Sequence, residues 1–201
     1  MPVNPNPQGK ASLPLLNELQ AWRSAEAPVR DVRGLLADYL RGLLVLSADF
    51  SFRPAPGRDC YLYCREGRWT LSLIAPGEWR PHRYAWYVAQ CELRRDATWD
   101  VRPAADLEER TEAVDALAAV VRGFQRRLQT SALVADSLPH YEAGLPYYRR
   151  VLASGLARSL QGSLRQLGLE AADGQQLLAN LQASGGALRG PLNLSGAENL
   201  P

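Results

Sequence analysis

Residues 60–75 read CYLYCREGRWTLSLIA, two alternating stretches on either side of Glu66-Gly67. Alternation with a period of two marks half-buried β-strands, and a two-residue break containing glycine marks a hairpin turn. With residues 66 and 67 as the turn, Cys64 faces Trp69, Leu62 faces Leu71 and Cys60 faces Leu73. These pairs are apolar and share one face, so that face is expected to be core. The opposite face carries Tyr63 across from Thr70, Tyr61 across from Ser72 and Arg65 across from Arg68.

Working outward, Pro76-Gly77 ends the second strand and residues 78–83 read as loop. Residues 87–94 alternate again, with Tyr87, Ala89, Cys91 and Leu93 expected inward and Gln90, Glu92 and Arg94 outward. Asp96-Ala97 suggests a turn, and residues 98–102 a short last strand with Trp99 and Val101. A sheet this small needs helices on its apolar face. Residues 29–48 supply one, with Val32, Leu35, Leu36, Tyr39, Leu40, Leu43 and Leu46 at three- and four-residue steps. Arg30, Arg33, Asp38 and Arg41 fall largely outside that stripe. Residues 105–129 form the clearest helix, acidic in its first turns and basic in its last. A fourth helix spans 147–167, with Tyr148, Leu152, Leu156, Leu160, Leu164 and Leu167 on its apolar side. A short helix is expected over 13–24 and another over 175–182. The fold class is therefore α+β: an antiparallel sheet of three to four strands packed against about four helices. Residues 1–170 read as one domain with its sheet at about 60–102, and 171–201 as a loosely structured C-terminal tail.

Hydrophobic residues make up 46% and charged residues 22%, the composition of an ordinary globular chain. The net charge of +2 does not by itself announce nucleic acid or membrane. Lys10 is the sole lysine among 23 basic residues; the arginines are spread chain-wide, as codon usage in a GC-rich genome would spread them. The opening MPVNPNPQGKAS lacks the basic-then-apolar layout of a secretory signal, and no stretch has the ~18 clean apolar residues of a membrane span. Three cysteines suit free thiols in a reducing compartment, so a cytoplasmic location is expected.

Candidate chemistry is sparse. Cys60 and Cys64 lie four apart in one strand, hence ~13 Å apart, too far to share a zinc ion or a disulfide. The thiols read as small buried hydrophobes, with no metal and no cofactor expected. Gly9-Lys10-Ala11-Ser12 lacks the strand and glycine of a phosphate-binding loop. His82 and His140 have no nucleophile in an obvious elbow. The most suggestive feature is aromatic: Trp69, Trp79, Trp86 and Trp99 with Tyr61, Tyr63, Tyr84 and Tyr87, interleaved with Arg65, Arg68, Arg80 and Arg83. Such a set could stack bases, though a small sheet more commonly uses aromatics as core. Tyr61 and Tyr63 are the exceptions to expect, because they oppose polar partners. Gly155, Ser159 and Gly162 form a small-residue stripe where another backbone, including a second copy, could approach.

The central segment resembles the domain-of-unknown-function family 2452, in its bacterial branch. The matching residues are Tyr61-Leu62-Tyr63, Arg65, Gly67, Leu71-Ser72-Leu73-Ile74, Pro76, Glu78-Trp79, Leu93, Asp96 and Thr98-Trp99. The opening Asn4-Pro5-Asn6-Pro7-Gln8-Gly9-Lys10 is similar to that of its bacterial members. The resemblance covers about 60–101, with Gly77 standing where an acidic residue is usual. It brings no established activity, and it implies that Pro76, Glu78, Trp79, Asp96 and Trp99 form a structural corner or a binding site. The expected function is a non-enzymatic binding or scaffold module, with Tyr61, Tyr63, Arg65, Glu78, Trp79, Asp96 and Trp99 as candidate binding residues. The alternatives are an Arg/aromatic nucleic-acid binder, and an enzyme using Glu78 or Asp96 with His82.

Overall fold

The hairpin forms as its alternation requires. In the computed structural model, which describes residues 30–78, 86–138 and 146–183, strand β1 (Asp59–Arg65) pairs antiparallel with β2 (Arg68–Ser72). The register is Tyr61↔Ser72, Leu62↔Leu71, Tyr63↔Thr70, Cys64↔Trp69 and Arg65↔Arg68. Both turn residues have positive φ, Glu66 at 52° and Gly67 at 70°, the backbone of a type I′ turn. Glycine takes that conformation freely, whereas Glu66 bears a steric cost. Its N–H is held by the Glu112 carboxylate. Leu62 and Leu71 are both buried, as the register demands. The pairing stops one residue short of the Cys60–Leu73 contact read from the sequence: β2 ends at Ser72, and Leu73 is 45% exposed.

Two further strands, β3 (Tyr87–Leu93) and β4 (Trp99–Pro103), complete a four-stranded antiparallel sheet in the order β2-β1-β3-β4. Between β1 and β3 the register slips at Leu62/Tyr63, so Leu62 lies opposite Ala89 but Tyr63 opposite Tyr87. The extra residue of this bulge is Val88, which is fully buried. Tyr87 is thereby turned to the tyrosine face, against the inward position that strict alternation assigns it. The free edge of β2 is covered by backbone from residue 49. Asp49 N–H donates to the Trp69 carbonyl at 2.9 Å and its carbonyl accepts from Leu71 N–H at 3.1 Å.

The inner face is closed by helices in one continuous core with Leu62, Cys64, Trp69, Leu71, Ala89, Cys91, Leu93, Trp99 and Val101. Helix α1 (Val32–Ser47) starts where the Asp31 carboxylate accepts from Gly34 N–H at 2.7 Å. It buries Leu35, Leu36, Tyr39, Leu40, Leu44 and Val45. Helix α2 (Thr111–Thr130) begins six residues later than its charge pattern suggests. Leu107–Glu109 makes a 3-10 turn, and Arg110, non-helical at φ −98° and ψ 80°, is clamped by both Asp106 oxygens at 2.6 and 2.7 Å. A single turn, α3 (Val134–Ser137), accepts the buried Tyr39 hydroxyl on its Ser137 carbonyl. Tyr39 also meets Phe124 of α2 edge-on at 4.9 Å.

Helix α4 (Tyr147–Gln166) runs antiparallel to α1 and meets it at three levels. Arg30, just before α1, donates to Ser163 Oγ at 3.1 Å. At mid-length Gly42 leaves room for Leu156, whose Cδ2 would lie 2.3 Å from an added Cβ. At the far end Arg149 donates from Nε and Nη2 to the Leu46 carbonyl at 3.1 and 2.6 Å, capping α1 with a cation where its dipole is negative. Tyr148, placed with the apolar side by periodicity, is 37% exposed at the start of α4. Arg30 and Asp38, expected on the polar side of α1, are both buried.

The packed part of the chain extends past residue 170. Helix α5 (Gly174–Ala183) buries Leu177 in the core, and Val134 N–H donates to the Ala172 carbonyl at 3.0 Å. The readings over 13–24 and beyond 185 fall outside the described residues. At Gly174 an added Cβ would sit 2.1 Å from the Leu128 carbonyl oxygen, a backbone atom that cannot swing aside. Gly174→Ala is therefore expected to cost about 1–3 kcal/mol. That corresponds to a melting temperature lower by roughly 2–12 °C. Gly162→Ala, where nothing lies within 4 Å, should melt at or above the parent. Equal melts for the two variants would refute this packing of α5 on α2.

Candidate functional site

The turn between β3 and β4 holds the densest polar cluster. Arg94 N–H donates to the Thr98 carbonyl at 2.8 Å, and Ala97 closes the turn at φ 65°. Asp96 then accepts within its own turn, from Thr98 N–H at 3.1 Å and from the Thr98 hydroxyl at 2.7 Å. Its other oxygen takes Arg30 Nη2. The Arg30 guanidinium is only 5% exposed and finds acceptors all round its fork: Asp38 Oδ2 at 2.6 Å, Ser163 Oγ at 3.1 Å, Thr98 Oγ at 3.3 Å and Asp96. A second cation, Arg94, joins Asp38 at 3.2 Å to Asp100 at 3.1 Å, and Arg41 reaches Asp38 at 3.4 Å. Among the described residues of this cluster, each buried charge has partners of opposite sign, the condition under which burying ions is tolerable.

Burial would raise the Asp96 carboxyl, but the Thr98 hydroxyl, Arg30 and the Thr98 N–H outweigh it and hold it below its usual range. Asp96 thus has both oxygens bonded inside the fold, and Trp99 is 1% exposed. Glu78 serves its own turn, accepting from Ala75 N–H at 2.9 Å. Trp79, His82 and His140 lie outside the described residues. Sequence reasoning missed Arg30, Asp38 and Ser163. One signal was available for Asp38: it lies three residues after Leu35 and four before Gly42, on the buried side of α1. Of the small-residue stripe, Gly155 is buried and the Ser159 hydroxyl points at Asp96 from 3.5 Å, while Gly162 is open.

The remaining candidates share the other face of the sheet. Tyr61 is half-buried; its ring lies 6.3 Å from that of Tyr87, which lies 5.8 Å from that of Tyr63. Tyr63 is itself 7% exposed and donates its hydroxyl to the Ile74 carbonyl at 2.8 Å. Arg65 stacks over Trp86 at 4.5 Å. Across the strands, Ser72, Tyr61, Gln90 and Arg102 form one row, and Asp59, Glu92 and Asp100 the next. Arg102 bonds that second row, at 3.1 Å to Glu92, 3.3 Å to Asp100 and 3.9 Å to Asp59. Arg102 is thus enclosed by carboxylates, while Arg65 and Arg68 lie at the hairpin end of the strands, where Arg65 pairs with Glu66 at 3.3 Å.

The thiols are on the inner face. Cys60 lies directly opposite Cys91. Counting from the hairpin turn, the Cys60 N–H and carbonyl point toward β3, which makes this a hydrogen-bonded pair. The Cβ atoms of such pairs stand at the wide end of ~4.5–5.5 Å, beyond the ~3.5–4.5 Å that a disulfide prefers. Burial pushes the Cys60 and Cys64 thiols up to about 11, and Cys91 higher still. No group of His, Cys, Asp or Glu able to hold a metal occurs among the described residues. No described helix is long and apolar enough to cross a membrane. No protein family, curated protein or solved structure matches the chain.

Two outcomes are expected. Folded Asp96 binds its proton less tightly than an unstructured aspartate of pKa about 3.9, so its stabilisation is complete above that value and is lost as pH falls through the folded one. Asp96→Asn should lower stability at neutral pH by about 1–3 kcal/mol, since it removes one of the two carboxylates on Arg30 while Asp38 remains. The variant should also flatten the acid limb of a stability-against-pH curve; an unchanged limb would exclude Asp96 as its source. The second outcome concerns the thiols. An aromatic disulfide reagent at pH 8 should label none of the three cysteines in the folded protein and all three after unfolding, and one fast-reacting equivalent in the native state contradicts the buried placement.

Proposed function

We propose that the chain is a non-enzymatic binding or scaffold module whose contact surface is the outer face of the sheet around Tyr61. The observation that carries this is the division of labour between the two faces. Asp96 and Trp99, two of the residues on which the resemblance to family 2452 rests, are buried inside the fold. Tyr61 is half-buried, on a central strand, in a row of hydrogen-bonding side chains. Large aromatic side chains with a polar tip suit such a contact, because they bury much area at low entropic cost. Membership of family 2452 and a cytoplasmic location are part of the same proposal.

The enclosure of Arg102 by carboxylates favours a protein partner over nucleic acid. A phosphate backbone is held by arginines with free charge, and Arg102 already lies among three carboxylates. An enzyme built on Glu78 or Asp96 is less well supported, since the first caps its own turn and the second is occupied by Arg30 and Thr98.

The test pairs two measurements. With tagged protein as bait in native extract, a partner held by the parent should be lost from Tyr61→Ala, whose melting temperature should stay within about 3 °C of the parent, a change below ~1 kcal/mol. An identical set of proteins on both baits removes Tyr61 from the contact. Fluorescence anisotropy with single-stranded oligonucleotides should show no binding that weakens steeply with salt; such binding would favour the nucleic-acid reading instead.

A further inference from the structure

No further inference is drawn: the strongest candidate, the row of neighbouring carboxylates Asp59, Glu92 and Asp100 across β1, β3 and β4, is an acidic cluster that Arg102 already bonds, and no second observation in the structure points to a cation there.

Discussion

A guanidinium taken out of water must be given acceptors, and Arg30 collects them from three separate parts of the chain. Asp38 comes from α1, Asp96 and Thr98 from the β3–β4 turn, and Ser163 from α4. Hydrophobic packing alone would let α1 slide or rotate along the sheet at little cost, because leucines at helical spacing fit many offsets. The planar fork does not allow that freedom: Asp38 moves with α1 beside Arg30, but a shift of one helical turn would take Arg30 from Thr98 and Ser163 and leave Asp96 buried without its cation. Lysine, a point charge on a flexible stem, could not satisfy the same four acceptors. The pairing of α1 with α4 and the seating of both against the β3–β4 end of the sheet follow from this one constraint. Gly42 against Leu156 and Arg149 on the Leu46 carbonyl extend it along the helix pair.

What could be read from the sequence is what depends on neighbours along the chain. The β1–β2 register followed from alternation and a two-residue turn, because a slip of one residue would turn every side chain to the wrong face. Departures arise where a distant partner decides. A bulge against β1 turns Tyr87 outward, and the end of pairing at Ser72 leaves Leu73 exposed, though each would continue the alternation. Helix α2 starts late because Arg110 is held by Asp106 and by the Tyr87 carbonyl, a contact across 23 residues. The segment after 171 has little apolar character, yet Leu177 and the side-chain-free Gly174 suffice to dock α5. Asp38, outside the leucine stripe in the sequence, is buried because Arg30 pairs with it, a partner that periodicity does not reveal.

The candidate site was legible by residue type but not by role. Asp96 and Trp99 stood out beside Tyr61, Tyr63 and Arg65, and only the fold separates the first two, buried inside it, from the others, which lie on the outer face. Asp96 shows how the distinction works physically. A carboxylate poised for chemistry needs an open coordination position, and this one has both oxygens occupied by Thr98 and Arg30. Tyr61 has the opposite character: its half-buried ring keeps part of a polar aromatic surface open on a central strand, where a contact residue loses little entropy on binding.

The central claim, that the buried arginine–aspartate pairing sets the arrangement of α1, α4 and the sheet, is tested most directly by a double-mutant cycle on Arg30→Met and Asp96→Leu, read by denaturant unfolding. Arg30→Met leaves Asp96 buried without its cation and is expected to cost about 3–5 kcal/mol, whereas Asp96→Leu leaves Arg30 with Asp38 as its one carboxylate and is expected to cost about 1–3 kcal/mol. Together they remove both charges, so the double variant should be more stable than the sum of the singles implies, by at least ~2 kcal/mol. Costs that simply add would mean that the two residues act independently, and would contradict the account.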